Sequence, residues 1–157
     1  MKHRESPATH LAIVKAPFLD EILAGRKTVE SRLSVNRVAP YDRVAPRDRI
    51  LFKQSAGPYR ATATVTQVRC LRIRSRDHLM AIFEAQKHHI SGAKIAAARD
   101  FFVSKHAARY ATLITLAEVI PINSGPAIPP LHGRAWLCLE QPDHITTAPT
   151  TRLAMSA

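Results

Sequence analysis

Short apolar runs and alternating apolar and polar positions recur along this chain, and both patterns are typical of β-strands. In the stretch 28–34, for example, Glu30 and Arg32 share the polar side of a predicted strand. The patterns predict six strands, at 10–16, 28–34, 49–55, 59–73, 110–122 and 134–140.

Apolar residues spaced three to five positions apart predict three helices between these strands. The first begins at Pro17, whose missing N–H costs nothing in a first turn, and it ends before Gly25. The second covers 78–89 and the third 93–103. The order β-α-β-β-β-α-α-β-β predicts an α+β fold with a largely antiparallel, curled sheet, which could close into a small barrel.

The predicted elements form one domain. Its bounds are 10–140, and residues 1–9 and 141–157 are expected to be flexible tails. A loop at 35–48, with two Ala-Pro pairs and several Arg and Asp, interrupts the strands. The length of 157 residues is ordinary for a single domain.

The net charge of the chain limits its possible functions more than its length does. The formal net charge is +11, which favours a polyanionic partner: nucleic acid, a nucleotide or an anionic surface. A basic protein without such a partner is the alternative. No apolar run approaches the ~20 residues of a membrane span and no signal peptide is evident, so we expect a cytoplasmic protein without a membrane partner.

The cysteines and histidines do not have the spacing of a metal site or of a disulfide framework. Cys70 and Cys138 lie in apolar, strand-like stretches and are expected to be buried, reduced thiols. The eight histidines do not converge on a ligand motif, and no phosphate-binding glycine motif occurs. We therefore expect no metal and no cofactor.

One group of charged residues could form a site. Lys27 lies just past the first helix, with Arg26 before it, and Glu30 and Arg32 follow on one strand face. Lys15 ends the first strand, and Lys53 lies in an apolar strand. Cations around one carboxylate would keep it ionised and leave positive charge for a ligand. The alternative is an ordinary surface ion pair between Glu30 and Arg32 and a lysine that caps the helix end.

A second basic feature is the arginine-rich stretch 69–76. Arg72, Arg74 and Arg76 would share one face if the strand continued, and nine Lys or Arg against three acids occupy 26–60. Such a band could neutralise several phosphates. A solvated edge strand protected by its charge explains the pattern equally well.

Aromatic residues are few. Phe18, Phe83, Phe101 and Phe102 are expected in the core, and Trp136 in the core or in a pocket wall.

The stretch LAIVKAPFLDEILAGRKTVESR resembles the opening of ASCH domains, which belong to the PUA-like superfamily. Their pattern G-x-K-T-x-E-x-R matches Gly25, Lys27, Thr28, Glu30 and Arg32. The later stretch DRILFKQSAGPYRATATVTQV is similar to the next hairpin of the family, in which a lysine and a serine, here Lys53 and Ser55, precede a Gly-Pro turn. The resemblance covers roughly 10–140.

This resemblance implies a PUA-like, barrel-like fold with a cleft lined by the motif, and a role with RNA or nucleotides. Some members are amidohydrolases that act on acylated cytidine, and ribonuclease activity has been attributed to others. The amidohydrolases have a threonine where this chain has Glu30, so at this position the chain resembles the general ASCH group.

Three hypotheses follow. In the first, the protein binds RNA, a nucleotide or a nucleoside through Lys15, Arg26, Arg32, Ser55, Arg72, Arg74 and Arg76. In the second, a metal-independent hydrolase uses Lys53 or Lys27 as base or nucleophile and Glu30 as proton relay. In the third, the basic surface docks an acidic protein.

Overall fold

The computed structural model describes residues 6–139. Its elements are, in chain order, β1 (Thr9–Val14), α1 (Ala16–Leu23), β2 (Val29–Ser34), β3 (Arg49–Gln54), β4 (Tyr59–Arg72), α2 (Arg76–Ser91), α3 (Ile95–Ser104), β5 (Tyr110–Pro121) and β6 (Trp136–Leu139). Each overlaps a predicted element of the same type. Most of the predicted tails lies outside the described residues.

The six strands form one sheet in the order β2-β5-β4-β3-β1-β6. Neighbouring strands are antiparallel, except for the parallel pair β1 and β3. The register shifts after Phe52 in β3 and at two places in β4, and such irregularities bend a strand and increase its twist. The predicted α+β fold with a curled, mostly antiparallel sheet is confirmed.

Curling brings the two edges of the sheet together, and one side chain joins them. Arg32 lies on the edge strand β2, and its Nη2 donates a hydrogen bond to the backbone oxygen of Ile13 in β1 at 2.9 Å. Its Nη1 donates to the backbone oxygen of Ala135, just before the other edge strand β6, at 3.2 Å. The planar guanidinium, with donors in a fixed fork, suits such a double contact.

Two buried clusters position the helices. Inside the curl, Ile50 and Phe52 pack with Leu19 and Ile22 of α1. On the other side of β2, Phe83 of α2 and Phe102 of α3 pack together with ring centroids 4.9 Å apart. The helices α2 and α3 therefore cover this side of β2, the strand that carries Glu30 and Arg32.

A close contact joins α1 to the turn after α2. Glu21 is buried, and one of its oxygens accepts a hydrogen bond from the backbone N–H of Ala93 at 2.7 Å. Its other oxygen accepts from Arg26 Nε at 2.8 Å. Gly92 has φ +56°, and a Cβ there would lie 3.1 Å from the Cβ atoms of Glu21 and Arg26. Only glycine fits this backbone and this approach without strain.

Two expectations about individual residues were wrong, and the condition set for the arginine-rich stretch is not met. Cys138 is exposed and Cys70 is half-buried, so neither thiol is fully buried. Phe101 is 37% exposed and so is not a core residue. Arg72 ends β4, so the strand does not continue to Arg76, which begins α2 behind the N-cap Ser75.

No helix within residues 6–139 is long and apolar enough to cross a membrane.

Candidate nucleotide-binding site

A cavity of about 530 Å³ lies between the start of α1, the strand β2 and the helix α3. Its polar lining includes Lys15, Lys27, Glu30, Arg32 and Asp100. Its apolar lining includes Phe18, Ile90, Phe101 and Phe102. We call it the motif cavity because β2 and the turn before it supply its charged centre. Its volume is within the range of about 300–1,000 Å³ that is usual for small-molecule sites.

Lys27 is the most deeply buried cation of this centre. Its side chain is 4% exposed, and Nζ donates hydrogen bonds to the backbone oxygens of Val29 at 2.8 Å and Ile90 at 2.6 Å. Burial lowers the pKa of Lys27, the Glu30 carboxylate opposes that shift, and Arg32 adds to it. Because two N–H bonds satisfy the two carbonyls, a neutral Lys27 amine would keep both contacts and have a free lone pair.

Glu30 is the carboxylate on which the cations converge. Its Oε1 accepts a hydrogen bond from the backbone N–H of Ser31 at 3.0 Å. The same oxygen lies 4.0 Å from Lys27 Nζ and 3.7 Å from Arg32 Nε. Its Oε2 is buried and has no hydrogen-bond partner among the described residues. The second oxygen is thus a buried acceptor that no group within the described part of the chain satisfies.

Arg32 contacts Trp136, which belongs to a buried hydrogen-bonded group with His10 and Asp48. Its guanidinium carbon lies 5.3 Å from the ring centre of Trp136, a cation–π distance. The Trp136 indole N–H donates to His10 Nδ1 at 3.2 Å, and His10 Nε2 lies 2.8 Å from Asp48 Oδ2. Since the indole can only donate, His10 accepts on Nδ1 and donates from Nε2. Trp136, a predicted core or pocket residue, is 5% exposed and is part of a pocket wall.

The structure brings together four of the predicted site residues: Lys15, Lys27, Glu30 and Arg32. Lys53 and Ser55 do not line the motif cavity. Lys53 pairs with Ile13 in the β1–β3 register, and its Nζ lies 3.4 Å from the backbone oxygen of Gln54. A functional role for Lys53 or Ser55 therefore remains a prediction without a contact to this cavity.

The other predicted cations are also placed elsewhere. Arg26 binds the carboxylate of Glu21 and does not line the cavity. The Glu21 pKa is lowered because Arg26 donates hydrogen bonds to its carboxylate. Arg72, Arg74 and Arg76 are exposed, and Arg72 lies over the ring of Tyr110 at 5.8 Å.

Sequence reasoning missed a second basic surface beside the motif cavity. We call it the arginine groove. It has a volume of about 690 Å³, shares Arg32 with the motif cavity, and is also lined by Arg37, Arg43 and Arg134. No acidic residue is among its described lining. Arg37 and Arg43 belong to the predicted loop 35–48, but nothing in their spacing showed that this loop faces Arg134 before β6.

Sequence reasoning also missed the wall that α3 provides. Asp100, Phe101 and Ser104 line the motif cavity, yet the helical pattern of that segment predicts only an apolar face. No group of three His, Cys, Asp or Glu residues that could hold a metal occurs within residues 6–139.

Known structures with a similar backbone are ASCH proteins from Zymomonas mobilis. The ASCH structure from that organism has a TM-score of 0.58 and 16% identity, and the match covers 85% of this chain and 89% of that one. Two mutants of the protein match with TM-scores of 0.60 and 0.61 and with 17% and 16% identity. These matches also cover 85% of this chain, and 89% and 91% of theirs.

The chain has the ASCH fold. This confirms the α+β, PUA-like architecture that the sequence resemblance implies. No protein-family model matches the sequence, and no curated protein does so either. At 16–17% identity the similarity to the ASCH structures concerns the fold, so the function of this ASCH-fold chain has to be argued from its own residues.

Proposed function

We propose that this ASCH-fold protein binds RNA or a nucleotide, with the motif cavity as the central binding site. The observation that carries this proposal is the cavity itself, whose lining combines Lys15, Lys27, Glu30 and Arg32 with the aromatic side chains of Phe18, Phe101 and Phe102. A site with cationic groups and flat apolar surfaces suits a ligand that has both phosphate and base.

The charge distribution around the cavity supports a strand over an isolated small anion. Arg32 lines both the motif cavity and the arginine groove, so the two basic surfaces adjoin at this residue and together suit a chain of nucleotides. Arg134 and Arg37, the latter ion-paired with Asp42, line the groove, and arginine suits bidentate contact with phosphate. Arg72, Arg74 and Arg76 are proposed as outer phosphate contacts, because they are exposed and basic.

The test is the salt dependence of binding to a short, labelled single-stranded RNA. Affinity should fall steeply between about 50 mM and 200 mM salt, because bound phosphates release counterions. Lys15→Ala, which removes an exposed cation at the cavity, should weaken binding at every salt concentration. Lys87→Ala is the matched control, since Lys87 on α2 pairs with Glu84 and does not line the cavity.

Two results would contradict RNA binding in the motif cavity. One is an affinity that does not change with salt. The other is equal loss of affinity in Lys15→Ala and Lys87→Ala, which would mean that binding is unrelated to the cavity.

A metal-independent hydrolase is the second candidate function, and one observation favours it. The pKa of Lys27 is lowered chiefly by burial, and its amine lies 4.0 Å from Glu30. A neutral lysine beside a carboxylate can act as a base or a nucleophile. Both ribonuclease activity and amide hydrolysis on an acylated cytidine nucleoside would use such a group.

The hydrolase hypothesis is tested with labelled RNA and with an acylated cytidine, each incubated in EDTA. Turnover by wild type that disappears in Lys27→Met and persists in Lys87→Met would support catalysis in the cavity. Including Lys53→Ala tests the separate prediction for Lys53. Equal turnover in wild type and Lys27→Met would exclude Lys27 as the base or nucleophile, and no turnover of either substrate leaves the binding function alone.

A further inference from the structure

The arginine groove contains a nucleophile that the proposed function does not use. Cys138 of β6 lines this groove and is exposed. It shares the lining with Arg37, Arg43 and Arg134, and no acidic residue is among the described lining. A thiol reacts through its thiolate form, and reactive cysteines lie in accessible, positively charged surroundings. The groove provides such surroundings for Cys138.

A histidine lies directly opposite this cysteine. Cys138 pairs with His10 in the antiparallel register of β1 and β6, so both side chains project from the same face of the sheet. Burial by itself would lower the pKa of His10, but hydrogen bonds to Asp48 and to Cys138 raise it above its ordinary value. The imidazole is thus a base within hydrogen-bonding reach of the Cys138 thiol.

Asp48 fixes the orientation of this histidine. Its Oδ2 lies 2.8 Å from His10 Nε2, and two backbone N–H groups donate to the same buried carboxylate at 2.9 Å. The Trp136 indole donates to His10 Nδ1 at 3.2 Å, so neutral His10 carries its proton on Nε2. Nδ1 is therefore the atom that can accept the thiol proton, in place of the indole. A nucleophile, a base and a group that orients the base are the parts of an activated nucleophile.

The charge of the groove favours one class of reaction partner. Its arginines attract anions and repel cations, although Arg37 also pairs with Asp42. Thiol–disulfide exchange suits this site, because it needs only a deprotonated thiol and a leaving thiolate. A small disulfide that carries carboxylate groups therefore fits both the charge of the groove and the chemistry of Cys138.

We propose that Cys138 undergoes thiol–disulfide exchange with small anionic disulfides, with His10 as the base that Asp48 orients. His10 Nδ1 accepts the thiol proton, and the Cys138 thiolate attacks one sulfur of the disulfide R–S–S–R. A Cys138–S–S–R bond forms, the S–S bond of the reagent breaks, and the other half leaves as R–S⁻. Cys138 is oxidised and the departing sulfur is reduced, so the disulfide is itself the oxidant.

The experiment measures exchange rates on the full chain with the substitution Cys70→Ser, which leaves Cys138 as the single thiol. The reagents are oxidised glutathione, which is anionic, hydroxyethyl disulfide, which is uncharged, and cystamine, which is cationic. Intact-protein mass spectrometry follows the adduct in EDTA and without oxygen. Each rate is divided by the rate of the same variant unfolded in urea, which has the same thiol and net charge but neither the groove nor an ordered His10.

The reagents should differ in this ratio of folded to unfolded rates. At low salt the ratio for oxidised glutathione should exceed that for cystamine about tenfold, at the lower end of electrostatic steering, and high salt should reduce the difference. Arg134→Gln should lower the ratio for oxidised glutathione. The matched control is Arg74→Gln, which changes an exposed arginine outside the groove and should leave the ratio unchanged.

A further variant tests the base. In His10→Gln the amide can still donate to Asp48 but cannot take up a proton, so exchange should slow for all three reagents alike. Circular dichroism verifies its fold. The comparison of reagents and the two arginine variants leave the buried group of His10 and Asp48 intact, so they test the proposal even where His10→Gln does not fold.

Three results would overturn the proposal. The first is a folded rate with oxidised glutathione that is no higher than the unfolded rate. The second is an equal ratio for the three reagents, or an equal loss in Arg134→Gln and Arg74→Gln, which would assign the attraction to net charge and not to the groove. The third is an unchanged rate in folded His10→Gln. None of these results depends on whether the chain binds RNA, so this proposal and the proposed function fail separately.

Discussion

The motif cavity and the arginine-rich segment Arg72, Arg74 and Arg76 contain similar charges in different surroundings. Lys27 and Glu30 are almost fully buried, and each has named partners within 4.0 Å. The three arginines are exposed. Charges in water are screened within about 8–10 Å at ordinary salt, so the segment can attract a polyanion but cannot select a chemical group. The cavity can do so because its donors and acceptors have fixed positions.

Removing Arg32, which joins the two sheet edges, should have the largest effect on stability. Arg32→Ala loses two hydrogen bonds to backbone oxygens and leaves Glu30 without one of its neighbouring cations. We expect a loss of about 3 kcal/mol in the free energy of unfolding, as when one partner of a buried ion pair is removed. Urea denaturation measures it. Arg74→Ala is the control, and a similar loss in both variants would remove the distinction between the two regions.

The aromatic wall should matter for binding and little for stability. Phe101→Ala removes one candidate stacking surface, so nucleoside affinity should fall by about 1–2 kcal/mol, the lower part of the usual range for one base. The slope of RNA affinity against salt should not change, because no cation is lost. Calorimetric titration and salt-dependent binding measure the two quantities. A reduced slope with unchanged nucleoside affinity would contradict the assigned role.

The pH dependence of stability should distinguish Lys27 from an exposed lysine. Burial lowers the pKa of Lys27 in the folded state below the ordinary value of 10.5. Between these two pKa values the unfolded chain binds more protons, so stability rises with pH, by at most about 1.4 kcal/mol for each pH unit. Urea denaturation at increasing pH should show this rise in wild type and Lys87→Met and a smaller one in Lys27→Met. Identical curves for wild type and Lys27→Met would refute it.

The exposed arginines should have the smallest and least specific effect. Arg74→Gln and Arg76→Gln should each lower the slope of log affinity against log salt by about 0.7 for single-stranded RNA if each contacts one phosphate. Nucleoside affinity should be unaffected. A change in base preference in either variant would show that this segment takes part in recognition.

The local sequence pattern was sufficient to predict the helices and strands and part of the candidate site. Strand and helix periods depend on near neighbours, which is why the order of all nine elements could be predicted. The spacing of Glu30 and Arg32 placed them on one strand face for the same reason. The wrong expectations concern exposure: Cys138 and Phe101 have apolar neighbours in the sequence but lie at the surface in the fold.

Tertiary structure decided what those local patterns could not. The helix α3 comes from a segment far from β2 in the chain, and its packing on α2, including Phe102 on Phe83, brings it to the cavity that Glu30 also lines. The curl of the sheet determines that Arg32 reaches Ile13 and Ala135, while Lys53 remains outside the cavity. The sequence by itself determined the elements and the charged motif, because both depend on neighbouring residues. Burial and the unpaired Glu30 oxygen depend on long-range packing, and these features make the motif a candidate binding site.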